Sequence, residues 1–250
     1  MAVRKVWAMV GLAFTLVVSG CATYQTPGAG INIGNLSKAD ADIAELMKRE
    51  PAASFPARLA VARIQASGYD SGHLSCYGNG RYCVLTARDI EAEQEVSRLS
   101  RLPMIAGIAA MSRMLLPETP DSMKDLRLAA ASLKTDMLLV YSVDTHFTVE
   151  STDIGPLALI SLGFLPNKEA HVTATAACVL VDVRTGFVYG TAESTATEQQ
   201  RASMWSSEAA IDSSRLKAEE QAFRQMIGDF DKLWKGVAET YAGKTANPVR

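Results

Sequence analysis

Along residues 137–149 apolar and polar side chains alternate, with Leu139, Tyr141, Val143, Thr145 and Phe147 on one side and Val140, Ser142, Asp144, His146 and Thr148 on the other. A period of two sends successive side chains to opposite faces, so the segment predicts a strand. Residues 171–183 and 187–197 read as two further strands, which Arg184-Thr185-Gly186 joins into an antiparallel hairpin. Upstream, residues 58–65 set Leu59, Val61 and Arg63 against Ala60, Ala62 and Ile64, which suits a central strand whose two faces both meet side chains. Elsewhere the spacing turns helical. A short helix opens at Ser37 and runs toward Glu50, a second covers 88–102, and a third covers 122–133 behind an Asp121 cap. The last and longest, about 207–241, carries Leu216, Phe223, Ile227, Phe230, Trp234 and Val237 in one stripe that must be buried, with a sheet as its expected partner. The fold class that follows is α/β, a mixed and mostly antiparallel sheet packed by helices. It forms a single domain over residues 37–242 with a long C-terminal helix, and 243–250 follow as a disordered tail.

The first twenty residues do not belong to that pattern. Arg4 and Lys5 form a basic start, residues 6–18 are apolar, and Ser19-Gly20-Cys21 follows at once, which is the build of a secretory signal peptide. Val18-Ser19-Gly20-Cys21 resembles the bacterial lipobox, and the resemblance implies cleavage before Cys21 and acylation of its thiol, palmitate included. Ala22 in place of Asp implies the outer membrane of a Gram-negative envelope, with the domain facing the periplasm. Residues 21–36 are then the lipidated N-terminus and a flexible tether, since they hold Gly, Pro, Thr and Asn without apolar periodicity. Several acyl chains anchor a protein stably where one does so only marginally.

Composition narrows the partners. The chain has 250 residues, 25 basic and 27 acidic, for a net charge of −2, which becomes −4 once Arg4 and Lys5 leave with the leader. With no sustained Lys/Arg block, nucleic acid is excluded as a partner. No internal apolar run reaches the roughly 18 residues of a spanning helix; the longest, 102–116 and 154–166, fall short. Export suits the cysteines. In Cys76-Tyr-Gly-Asn-Gly-Arg-Tyr-Cys83, Asn79-Gly80 is a hairpin turn, and folding about it sets Tyr77 opposite Tyr82 and Cys76 opposite Cys83, a disulfide in an oxidising compartment. Cys178 reads as a small buried hydrophobe.

Motifs for catalysis are not evident in the sequence. Gly243-Lys244-Thr245 has no leading glycine and no helix after it, and the three histidines, His73, His146 and His171, lack ligand spacing, so the expectation is no metal, no cofactor and no small-molecule substrate. Glu91, Glu93, Glu95, Glu219 and Glu220 read as solvated helix carboxylates. No catalytic residue is expected and the protein is read as a non-enzyme. Two apolar stretches remain, 102–116 and 155–166, each sitting where a loop joins sheet elements. Core helices, an oligomer surface and a lipid-contacting element are all open for them.

Leu59-Ala-Val-Ala as a first strand, residues 128–140 (LAAASLKTDMLLV) as helix into strand, and residues 179–189 (VLVDVRTGFVY) as a hairpin resemble one group of envelope proteins. It comprises the curli-secretion channel lipoproteins, the lipoprotein activators of penicillin-binding proteins and the N-terminal domain of TolB, and the likeness spans about residues 58–241. The resemblance implies the periplasmic α/β fold. The chain lacks two evident amphipathic transmembrane hairpins, which separates it from the channel branch. The expectation is an outer-membrane lipoprotein that binds an envelope protein or its own copies as an assembly or secretion accessory, with an oligomeric export-channel subunit as the alternative. Contact is expected at Leu157, Leu159, Ile160, Leu162 and Phe164 of the apolar loop and at Tyr77 and Tyr82 of the disulfide hairpin.

Overall fold

The alternation around Arg63 produces β1 (Ala57–Ala66), the strand about which a six-stranded sheet is organised. A computed structural model describes residues 43–69, 74, 76–151, 168–202 and 208–243; Cys21, the tether and the 155–166 loop lie outside these. Around β1 the chain runs α1 (Ile43–Met47), β2 (Tyr82–Leu85), α2 (Glu93–Ser100), β3 (Ile105–Ala110), a 3-10 turn (Arg113–Leu115), α3 (Met123–Ser132), β4 (Met137–Ser151), β5 (Lys168–Asp182), β6 (Val188–Ala202) and α4 (Glu208–Tyr241). Strand order is β2-β1-β4-β5-β6, with β3 parallel to the first half of β1. β4 also pairs parallel to β1, while β1–β2, β4–β5 and β5–β6 are antiparallel, so the sheet is mixed and mostly antiparallel as the periodicity predicts.

Each face of the sheet carries its own core. Leu59, Leu139, Phe147 and Leu180 look toward the buried stripe of α4, where Phe223, Phe230 and Trp234 pack. The Trp234 indole donates to Pro103 O at 2.7 Å, which fixes the chain between α2 and β3. On the opposite face Ala60, Ile64, Leu138 and Val140 meet Leu126, Ala129 and Ala130 of α3. This second layer covers β2, β1, the start of β4 and the Val179–Val181 end of β5. Farther out, Asp144, His146, Thr195 and Thr197 are exposed.

Several local expectations change. Residues 102–116 are not a helix: the Ile105–Ala110 run is β3, and Met111 and Leu116 on either side of the 3-10 turn enter the second core. A six-residue apolar run suits a parallel strand as well as a helix, and the open edge of β1 selects the strand. α3 is capped by Ser122, not Asp121; the Asp125 carboxylate accepts from the amides of Asp121 (3.0 Å) and Ser122 (2.9 Å). α2 starts at Glu93 because residues 89–91 turn inward.

The Val179–Tyr189 segment owes its shape to one carboxylate. Asp182 is fully buried; its Oδ1 accepts from the amides of Arg184 (2.9 Å) and Thr185 (3.0 Å), and its Oδ2 from the Ala52 amide (2.7 Å) and the Tyr189 hydroxyl (2.9 Å). Gly186, at φ +72°, completes the turn, and a Cβ there would collide with the Arg127 guanidinium, which donates to Val183 O and Arg184 O. Asp182→Ala strands four part-buried donors. The expected loss is about 3 kcal/mol or more, read as a lower urea midpoint at unchanged slope.

Candidate functional site

Arg63 shares the inward face of β1 with Leu59 and Val61, so its guanidinium enters the core beneath α4, with a side chain only 2% exposed. A buried charge must be paired and hydrogen-bonded. Nη1 donates to Asp89 Oδ1 and to Glu91 Oε1 (3.2 Å), both from the segment after β2, and Nη2 lies 3.9 Å from Glu219 Oε2 of α4. Glu219 in turn takes both its oxygens to Arg215 Nη1 at 3.0 Å, and Arg215 Nη2 donates to Asp212 at 2.8 Å. From β4, the Tyr141 hydroxyl donates to Glu91 Oε1 (2.7 Å) and Thr145 Oγ1 to Glu219 Oε1 (2.8 Å). Four elements of the fold thus meet in one ionic network.

The field of this network is visible on its members. Burial by itself would lower the Arg63 guanidinium; Glu91 and then Asp89 outweigh it and hold the group above its ordinary value. Arg215 is raised in the same way, burial opposing and Glu219 prevailing. Burial, then the Glu91 charge, pushes the Tyr141 phenol well above the usual range. Beside the network a cavity of about 60 Å³ is lined by Val61, Arg63, Ile108, Leu139, Tyr141 and Phe223 among others, and most of its wall is apolar. Arg63 Nε and Nη2, Gln65 Oε1 and the Tyr69 hydroxyl find no hydrogen-bond partner among the described residues. Of these only Arg63 lines the cavity, and a space of that size is large enough for water to meet its guanidinium.

The sequence-derived sites fare unevenly. Cys76 and Cys83 are joined in a disulfide with Cα atoms 5.5 Å apart, but the strand register differs: Tyr77 pairs with Val84, not Tyr82. The reason lies in Pro120. The Asn79 and Arg81 amides donate to Glu118 O and Pro120 O, and Gly78 and Gly80 lie so close to Pro120 that a Cβ at either would clash, so the loop follows that segment instead of a two-residue turn. Tyr82 is consequently no contact residue; it is fully buried and its hydroxyl donates to Ser122 O at 2.9 Å. Tyr77 is half-buried against the α3-side core. Leu157, Leu159, Ile160, Leu162, Phe164 and His73 lie outside the described residues. His146 and His171 share the open sheet face, opposite Thr173 and Thr148 respectively. Among the described residues no three His, Cys, Asp or Glu side chains gather as a metal set. Cys178 is buried, and burial pushes its thiol up to about 12.

Glu91 and Glu219, expected as solvated carboxylates, are the buried partners of Arg63. The signal for them was Arg63 itself, a lone cation on the apolar side of an alternating strand, which requires anions from elsewhere in the chain.

No protein-family model and no curated protein matches the chain. Among solved structures it is similar to a Xanthomonas campestris protein of the DUF330 family, with TM-score 0.38, 14% identity, and coverage of 76% of this chain and 94% of that one. A hypothetical protein of Chlamydia trachomatis gives TM-score 0.31 and 12% identity over 70% of this chain and 95% of its own.

Two outcomes are expected. Arg63→Met leaves Asp89 and Glu91 without their shared cation and destabilises the protein by about 3–5 kcal/mol, measured by denaturant unfolding. The second concerns alkali. A phenol raised on folding contributes stability that is complete below its unfolded value, near 10, and is lost as pH climbs past it. Stability should therefore fall above about pH 10, and Tyr141→Phe should lessen that fall in melting curves taken from pH 8 to 11.5, the remainder belonging to Tyr69, Tyr82 and Tyr189, which burial raises likewise.

Proposed function

We propose that the protein is an outer-membrane lipoprotein, held by acyl chains on Cys21, whose α/β domain is a non-enzymatic binding accessory for an envelope assembly. The observation that carries the reading is how the chain distributes its polar chemistry. In the interior, the carboxylates and guanidiniums that could do acid–base work are locked to one another around Arg63. On the outside, β4, β5 and β6 present a face of Asp144, His146, Thr195 and Thr197 that no described helix covers. A scaffold whose interior charges are paired with one another and whose sheet surface is uncovered suits docking better than turnover. No described helix is long and apolar enough to cross a membrane, in keeping with attachment through lipid. The apolar segment with Leu157, Leu159, Ile160, Leu162 and Phe164 joins β4 to β5 and is the second contact element of this proposal.

The test is metabolic labelling with a palmitate analogue followed by envelope fractionation. The wild-type chain should take up label and sediment with outer membranes, and Cys21→Ser should take up none and stay with the leader attached or be released. Unlabelled wild-type protein, or a labelled Cys21→Ser chain, would overturn the anchor. Crosslinking of the anchored wild type should recover a defined envelope protein that a chain carrying Leu159→Asp and Phe164→Asp fails to capture.

A further inference from the structure

The two edges of the sheet are built differently. On one side β1 is flanked by the four-residue β2, itself bridged by Tyr77, and by the six-residue β3, so the edge is short and broken. On the other, β6 runs fifteen residues, keeps an unbroken register with β5 from Gly190 to Ala202, and has no second strand among the described residues. It contains neither Pro nor Lys, the residues that blunt an edge. An outward row of unpaired amides and carbonyls of this length is a template for another strand. Among the described residues no other edge matches it in length, so a head-to-tail contact is poorly matched and a self-contact is well matched.

We propose that β6 is a homodimer interface, in which the edge strands of two copies pair antiparallel about a two-fold axis at Thr197 and continue the sheets into one. The charges on the strand select that register. An axis perpendicular to the sheet keeps each face on its own side, so opposed residues have numbers of equal parity summing to twice that of the axial residue. β6 has three charged positions, Glu193, Glu198 and Arg201. Only the axis at Thr197 sets opposite charges against each other: it puts the Glu193 position of each copy against the Arg201 position of its mate, and Glu198 against Ala196. Acid meets acid only for axes at Glu193 or Glu198. The Thr197 register also extends existing side-chain order, since Thr173–Thr197 and Thr175–Thr195 hydroxyls already bond across β5 and β6 at 3.2 and 2.8 Å.

The helical layer fits the same axis. α4 lies over β5 and β6. With strands about 4.8 Å apart, a helix over that pair comes to roughly 10 Å from its copy, a normal packing distance. Beside Glu198 it exposes Lys217 and Glu220, while Arg224 lies 3.9 Å from Glu95 of α2. This inference goes beyond the accessory role and does not depend on the lipid anchor, since it names the partner of one edge as a second copy.

The experiment uses the full chain extracted in detergent, with light scattering and mild oxidation of single-cysteine variants. The expected result is a mass of two chains. Thr197→Cys, on the axis, should form a covalent dimer, because opposed Cα atoms at about 4.5–5.5 Å suit a disulfide, whereas Thr173→Cys, one strand inward, should not. Glu193→Arg should weaken the dimer about tenfold or more, and Glu193→Arg with Arg201→Glu should restore it. A monomer at tens of micromolar, an assembly in which Thr197→Cys stays uncrosslinked, equal crosslinking at Thr173→Cys, or a dimer indifferent to both charge variants would overturn the proposal.

Discussion

A guanidinium in the middle of an apolar sheet face constrains everything packed around it. Arg63 cannot sit among Leu59, Leu139 and Phe223 unless anions come to it, and they come from far along the chain: Asp89 and Glu91 from the segment after β2, Glu219 from α4. The cost of removing these charges from water is recovered only if all are in place together. That makes the network an assembly condition. A one-residue slip of β1 would carry Arg63 to the α3 face, where Ala60, Ala62 and Ile64 meet an all-apolar core. The charges therefore specify register more than they add stability, and they explain why residues 89–91 bend inward where their sequence would tolerate a helix.

The same condition links near and distant parts of the chain. β4, β5 and β6 follow one another as two long hairpins, whereas β1 waits for β4, with Leu59 pairing to Met137. Contacts of such separation pay a large loop-closure entropy before they return anything. Two short side-chain devices hold the distant segments once they meet. Asp182 takes the Ala52 amide onto the β5–β6 turn, and Trp234 takes hold of Pro103 O. Each brings a segment from the first half of the domain onto an element from the second.

Much of this was legible in the residues themselves. The alternation of 137–149, the helical stripe from Leu216 to Val237 and the Arg184-Thr185-Gly186 turn are strong local patterns, and the elements follow them closely. The elements that were misread depend on partners that lie elsewhere. Ile105–Ala110 has no alternation to reveal a strand, and only the free edge of β1 makes it one. The Cys76–Cys83 loop has the composition of a tight hairpin, yet Pro120 presses against its glycines and sets another register. Tyr82 and Glu219 look like surface residues by type and are interior by position. For these residues legibility failed because the environment is supplied by a segment elsewhere in the chain.

The edge of β1 is divided between two strands, β3 along Ala57–Val61 and β2 along Arg63–Ala66, and Ala62 falls between them. The cavity beside Arg63 is lined by residues from the ends of both, Leu85 on one side and Ala110 and Met111 on the other. Such a boundary is mechanically a joint. Each short strand is held to β1 by its own ladder, so the loss of one need not carry the other with it, while the opposite flank is a single continuous ladder of β5 and β6. The interior charges thus sit next to the seam where the sheet's ladder is interrupted, and not beneath the long continuous ladder of β4, β5 and β6.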